Sequence, residues 1–503
     1  MLQLFLIIPA ITIILMMLMS KQQGVRLISA IGMGAQLILS LILVFNYISA
    51  SKLNGFTSLM YETSYSWFPA FNINFHTGVD GISLAMILLT ALISFTGVLA
   101  SWNITEKPKE FFFNLILLST GAFGFFISRD LFTMFFFLEI AIIPKFLLIS
   151  IWGSGRNEYS ANKLVLMLMG GSALILTSIL GIYYSGIHSF DIAKIAAAGI
   201  PVSTQLVIFP IMFTGFGIFT AMFPFHTWVP DGHSSAPTAA SMFLSGISMK
   251  MGGYGCLRVA VFLMPKATEQ EGWFFLILAV IGVVYAAFTT LRQTDLKYIN
   301  AYSSISHCSL VLIGILVMSN TSITGAVLQM FSHGLMTALF FAIIGMIYQR
   351  THTRDISKMS GLLKTLPFLG TGFILAGLCS LGLPGLSGFV AEMTIFFGSY
   401  NASAFVNVII ILSVSSIVIT AVYILRMTGQ VMWGPIKQEE FNELHDGKWN
   451  EKLLITILCG VIILVGTMPF WLNGMIHNGI DPLVDAMKQA LPAKLSQNLL
   501  IVH

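Results

Sequence analysis

Windows of about 20 apolar residues, each long enough to cross the hydrocarbon core of a bilayer, recur with only short polar joints from Leu2 to Leu472. A soluble domain of this length has no means of burying that much apolar surface, and with 56% hydrophobic and 9% charged residues the composition lies far outside the soluble range. The windows run over residues 2–19, 26–49, 82–102, 111–128, 131–152, 163–185, 205–227, 237–264, 272–290, 299–318, 324–348, 366–400, 404–427 and 453–472. They predict an all-α polytopic membrane protein of about fourteen transmembrane helices, since barrel strands would alternate polar and apolar residues in stretches of about ten. No basic residue precedes the first window and Lys21 and Arg26 follow it, which reads as a retained span with its N-terminus outward rather than a cleaved leader. On that orientation 16 of the 25 Lys and Arg fall in cytoplasmic joints, six outside and three within spans, so both termini are predicted outside.

Charge and cysteine usage exclude several function classes. The net charge of +4 is accounted for by the cytoplasmic joints and points to no nucleic-acid partner. Cys256, Cys308, Cys379 and Cys459 are far apart, with no C-x-x-C among them, which argues against disulfides, zinc and iron–sulfur ligation. There is no phosphate-binding loop and no dinucleotide fingerprint, so a gradient or partner proteins must supply the driving energy.

Against this background Glu139, Lys145, Lys250 and Glu392 stand alone in apolar sequence. Ionisable groups at bilayer depth are costly and mark proton or ion pathways. Two windows are also broken by glycine and proline, at Thr214-Gly215-Phe216-Gly217 through Phe223-Pro224-Phe225-His226 and at Leu381-Gly382-Leu383-Pro384-Gly385-Leu386-Ser387-Gly388. Discontinuous helices in corresponding halves of a transporter mark its ion site, because unwound backbone at that depth must face protein or water. An ordinary kink is the alternative for either break. Spacing suggests two inverted five-helix repeats, residues 111–264 (helices 4–8) and 265–430 (helices 9–13), with discontinuous helices 7 and 12. Residues 1–110 hold helices 1–3, and residues 431–503 a cytoplasmic joint, helix 14 and an outer tail.

The stretch Phe225-His226-Thr227-Trp228-Val229-Pro230-Asp231-Gly232-His233-Ser234-Ser235-Ala236-Pro237-Thr238 resembles the W-L-P-D-A-H-x-x-A-P-T signature of the antiporter-like membrane subunits of respiratory complex I. Gln293-Thr294-Asp295-Leu296-Lys297, Ala301-Tyr302-Ser303-Ser304-Ile305-Ser306-His307, Ser332-His333-Gly334 and Gly388-Phe389-Val390-Ala391-Glu392 follow in the family's order. The resemblance covers residues 75–430, beginning at His76-Thr77-Gly78-Val79-Asp80-Gly81-Ile82-Ser83. A glutamate rather than a lysine at 392 makes the chain most similar to the M-type among three such subunits.

The resemblance implies roles. Glu139 matches the family's fifth-span glutamate, Lys250 its central lysine, Glu392 the exit-side proton carrier, and His307 and His333 the histidines between them. His226 and His233 are candidates for proton entry, or simply hold the signature turn together. Two unit charges about 4 Å apart interact by about 4 kcal/mol at an effective dielectric of 20, and moving a charge against about 150 mV costs roughly 3.5 kcal/mol. Opening a carboxylate–lysine pair can therefore drive a proton against the field.

One departure stands out. Relatives carry a lysine seven residues before the histidine of F-H-x-W, where this chain has Phe219, and Lys145 stands where they have an apolar residue. Lys145 is a candidate substitute, although six residues turn about 600° and rise about 9 Å, off the face of Glu139; snorkelling, or capture of carbonyls freed by Pro144, is the alternative. The resemblance further implies no cofactor on this chain, with FMN, iron–sulfur clusters, NADH and quinone in partner subunits, and contacts with lipids and with L-type and N-type antiporter-like neighbours in a bacterial inner membrane. A sodium/proton antiporter subunit of the same fold and a non-pumping spacer are the competing readings. The charged joint 426–452 and the tail 473–503, amphipathic over Asp481 to Leu499, are candidate contact surfaces or solvated faces. No long lateral helix is read after the last window, which argues against the L-type subunit.

Overall fold

In the bilayer every backbone polar group must be paired within the protein, so apolar sequence of this length folds into helices. The computed structural model describes residues 1–53, 59–400 and 402–491 as an almost wholly helical bundle. Among the described residues, eleven helices are long and apolar enough to cross a membrane, and the fourteen predicted windows lie mainly on helix, two of them interrupted by unwound segments. Leu4–Leu18 and Pro367–Ser380 are shorter apolar helices. Hydrophobicity runs all round many of them, so burial rather than amphipathicity separates centre from periphery. Gly81–Ala100, Leu296–Leu316 and Asn320–Thr351 are enclosed by other helices, whereas Asn157–Ile187, Ala404–Met432 and Trp449–Thr467 keep most of their apolar surface outward.

Both predicted breaks are present. Val202–Thr220 stops at Ala221, which has φ 65, and helix resumes at Trp228–Ser235. The indole of Trp228 crosses the gap to donate to the Ile218 carbonyl at 3.0 Å. Pro367–Ser380 ends before Gly382 (φ 74) and Gly385 (φ 93), and helix resumes at Ser387–Ser399. Glycine is required at 382 twice over, for the left-handed backbone and because a Cβ there would stand 2.9 Å from Glu392 Oε2.

One feature follows from Pro144, and two were not expected. The span from 131 to 152 is parted at Ala141 into Leu131–Ile140 and Ile142–Trp152, where Pro144 has no N–H to offer the Ile140 carbonyl. The window carrying Lys250 is not a uniform helix: wide turns over Leu244–Ser248 and Cys256–Val261 flank Met249–Gly255. Such π-turns concentrate at functional sites, and here one exposes the Ser245 carbonyl to Lys250. Finally, Met60–Phe68 and Ile73–Val79 form an antiparallel hairpin in the joint before Gly81–Ala100.

The C-terminal elements are bound into the bundle. Phe470–Ala490 buries Leu472, Met475, Ile476, Ile480, Leu483 and Val484 along one stripe against Gly81–Ala100 and Asn320–Thr351. The Gly81 backbone approaches the Met475 carbonyl so closely that any side chain there would collide with it. The predicted amphipathic stretch extends beyond this helix, and its residues 492–499 lie outside the described residues. The charged joint is likewise less a solvated face than an internal clamp: Arg350 pairs with Glu451 at 2.6 Å, and Asp446 accepts from the Phe368 amide at 2.8 Å.

Candidate functional site

Four of the predicted residues meet in the centre. Lys250, 1% exposed, donates to the Ser245 carbonyl at 2.6 Å and to His333 Nδ1 at 2.7 Å. An ammonium has only donors, so His333 Nδ1 accepts and its proton sits on Nε2, which has no protein partner. The His333 and His307 rings lie 5.2 Å apart between centroids. His307 Nδ1 is 3.1 Å from Glu392 Oε1, and its Nε2 is 3.3 Å from Ser380 Oγ. A cavity of about 20 Å³ beside Glu392, lined also by Ser306, Ser416 and Thr420, is large enough for one water. Lys250, His333, His307 and Glu392, drawn from four different helices, thus follow one another as groups able to take and give a proton. They are bonded from Lys250 to His333 and from His307 to Glu392, with the two imidazole rings adjacent but not hydrogen-bonded to each other.

Glu139 and Lys145 form a second, separate centre. Glu139 is half-buried and accepts from the Ser172 hydroxyl. Lys145 is wholly buried, and the parting of its helix at Ala141 directs Nζ to 5.9 Å from the centroid of the Phe219 ring. Among the described residues no ion pair joins Glu139 and Lys145, and Nζ has no hydrogen-bond partner. Keeping an unpaired ammonium buried costs several kcal/mol, of which a cation–π contact returns about 1–2. Neither snorkelling nor capture of a freed carbonyl describes this side chain.

The two candidate entry histidines do not join the central line. His233 is buried and stacked on Phe341 at 4.5 Å with neither ring nitrogen bonded, while His226 stacks on Phe223 at 5.5 Å. Cations fix the loop around them. Lys297 donates to the Ala236 carbonyl and Arg354 to that of Ser234, both at 2.6 Å, and Lys163 pairs with Asp231 at 2.6 Å. Asp295 caps Leu296–Leu316 and pairs with Arg354 at 3.1 Å.

Sequence reasoning missed a polar cluster at the hairpin. His76 lies between Asp191, 2.6 Å from Nδ1, and Glu62, 2.8 Å from Nε2. Asp80 caps Gly81–Ala100 while pairing with both Arg129 and Arg258. Glu62, His76, Asp80, Arg129 and Arg258 line a cavity of about 160 Å³. Arg258 falls within an apolar window and Arg129 beside one, and two basic residues so placed with a single nearby aspartate were the available signal. The hydrogen bond to Asp191, helped by Glu62, holds His76 above the usual histidine range against the opposing effect of burial. Its contribution is therefore complete below about pH 6.5 and is lost as pH rises through the raised value. Hydrogen exchange in Ile73–Val79, corrected for intrinsic rates, should show protection falling as pH rises above about 6.5, and His76→Gln should flatten that dependence. A flat profile in the unmodified chain would refute it.

The geometry defines a class: a polytopic helical membrane protein with proton-competent side chains lined up through its interior. The chain belongs to the family described as NADH:quinone oxidoreductase/Mrp antiporter, transmembrane, whose model matches residues 128–420. It is 36% identical over 441 residues to NAD(P)H-quinone oxidoreductase chain 4-1 of Synechocystis, spanning 86% of this chain and 84% of that one. It is equally 36% identical over 424 residues to NADH-quinone oxidoreductase subunit M of Rickettsia bellii, spanning 84% and 85%. In fold it resembles a chain of respiratory complex I from Thermus thermophilus with bound NADH, with a TM-score of 0.88 at 24% identity over 97% of this chain and 100% of that one. A chain of the Mrp complex from Dietzia gives a TM-score of 0.83 at 18% identity over 99% of both. Among the described residues no group of three or more His, Cys, Asp or Glu is arranged to hold a metal.

Proposed function

We propose that this chain is a proton-translocating, antiporter-like subunit of the membrane arm of a bacterial NADH:quinone oxidoreductase. The observation that carries the reading is the central line, with Lys250 2.7 Å from His333 and His307 3.1 Å from Glu392. Lys250 is the central carrier, the two histidines pass the proton, and Glu392 delivers it to the exit. Glu139 and Lys145 form the first half of the path, with Lys145 standing in for the lysine replaced by Phe219. His226 and His233 remain the candidates for entry, at the end of the bundle where the signature loop lies. Electron transfer occurs in other subunits, which hold FMN, iron–sulfur clusters, NADH and quinone, and L-type and N-type neighbours flank this chain in the inner membrane. Fourteen spans with both termini outside fit the distribution of basic residues.

The two five-helix units are supported by twin crossovers. Asp130 bridges to Asp191 and Asp295 to Asp355, and each of the four aspartates caps the helix that follows it. In inner-membrane vesicles, Lys250→Met is expected to lower NADH-driven proton pumping at least roughly tenfold, within the range for losing a proton-transfer group. Replacing sodium with choline should leave pumping by the unmodified complex unchanged. Pumping that follows sodium would instead support the antiporter reading, and undiminished pumping by Lys250→Met would support the spacer.

A further inference from the structure

Gln329 has no role in the path described so far, yet it touches the path at His307. It is 2% exposed, on Asn320–Thr351, one turn before His333. Its Nε2 lies 3.1 Å from His307 Nδ1, the same nitrogen that stands 3.1 Å from Glu392 Oε1. Its Oε1 is buried without a partner.

One ring nitrogen facing an amide and a carboxyl can satisfy them in only two ways. When Nδ1 is bare its one lone pair is shared, as a three-centre bond, between the Gln329 N–H and the O–H of a neutral Glu392 carboxylic acid. When Nδ1 carries a hydrogen it donates to an ionised Glu392, and an amide N–H pointing at it is repelled. A half-turn of the Gln329 amide then brings Oε1 to face the N–H, and both orientations fit the same heavy-atom positions. The amide is uncharged in both, so turning it in a buried site incurs no ionic desolvation.

We propose that Gln329 is a positioning residue whose amide reads and sets the location of the proton between His307 and Glu392. In one orientation it supports neutral His307 beside protonated Glu392; in the other it supports imidazolium beside carboxylate. The step is a single proton moving from His307 Nδ1 to Glu392 Oε1, which leaves both groups neutral, coupled to the turn of the amide. Gln329 never carries the proton. The unpartnered Nε2–H of His333, one turn further along the same helix face, has the polarity that the unpartnered Gln329 Oε1 would accept. Other titratable groups around the pair are Lys250, Cys308, Cys379 and Tyr423, with His233 beyond His333.

The inference rests on the proton-transfer reading, and the test separates the two. NADH-driven pumping and its pH profile would be measured in vesicles for Gln329→Met, Gln329→Glu and Glu392→Gln, at matched amounts of assembled complex. Gln329→Met keeps the volume and removes both hydrogen-bonding atoms; pumping should fall about tenfold, the worth of one buried hydrogen bond. Gln329→Glu keeps the shape but fixes an acceptor against His307, so that release needs a higher pH and the profile should move roughly one unit or more toward alkaline. A purely structural Gln329 would change amplitude without moving the profile. Normal pumping and profile in both Gln329 variants, with Glu392→Gln inactive, would overturn this inference alone. Normal pumping in Glu392→Gln would overturn the reading beneath it.

Discussion

Replacing Glu139 by glutamine should cut proton pumping by about ten- to a hundredfold while the complex still assembles. The substitution preserves shape, and a glutamine carbonyl can accept from the Ser172 hydroxyl as the carboxylate does. What it removes is the charge. Two unit charges roughly 8 Å apart at an effective dielectric of 20 interact by about 2 kcal/mol, and that influence on a transferring proton is worth more than tenfold in rate. The loss is expected in pumping measured against equal assembled complex, and Glu139→Asp should retain part of the activity. Full pumping by the glutamine variant would exclude Glu139 from the path.

Much of this arrangement can be read from residue order, and the rest cannot, for identifiable reasons. The windows needed only the bilayer's thickness, and Lys250 and Glu392 announced themselves as lone charges in apolar runs. The hairpin was hidden because Tyr61-Glu62-Thr63-Ser64-Tyr65-Ser66-Trp67 is a short, weakly alternating strand inside a polar joint. The wide turns around Lys250 depend on helical register, which apolar sequence does not encode. The proposed repeat has a candidate counterpart in the residues that spacing alone did not use. Arg129-Asp130-Leu131 precedes Asp191-Ile192-Ala193-Lys194 by 191 − 130 = 61 residues, and Thr294-Asp295-Leu296 precedes Asp355-Ile356-Ser357-Lys358 by 355 − 295 = 60. The reason is mechanical: in each case the two short segments pair across one end of a unit, the Leu131 amide to the Phe190 carbonyl and the Leu296 amide to that of Arg354. The Lys145 geometry shows the opposite limit. An ideal helix placed it off the face of Glu139, and the two are indeed unpaired. The kink at Ala141, which Pro144 announces, accompanies a different neighbour, the Phe219 ring.

That neighbour makes the second large prediction a test by exchange. Lys145→Met removes the buried ammonium while keeping an unbranched apolar stem, and pumping should fall at least tenfold, within the range for a lost proton-transfer group. Adding Phe219→Lys should restore it. Phe219 is fully buried one residue before Val202–Thr220 ends, with its ring centroid 5.9 Å from the Lys145 ammonium. A lysine there would reach much the same space, and the negative end of that helix's dipole favours a cation. Phe219→Lys alone should impair pumping, because two ammonium groups about 6 Å apart repel by about 3 kcal/mol at an effective dielectric of 20. Each single substitution is thus expected to damage the path and the pair to repair it, a reversal that additive effects cannot give. Equal assembly of all three variants would be established from the NADH-oxidising activity of isolated membranes with an artificial electron acceptor. Unimpaired pumping by Lys145→Met would make Lys145 structural; loss in the single variant without recovery in the double would mean that Lys145 acts from its own helix and not in place of Phe219.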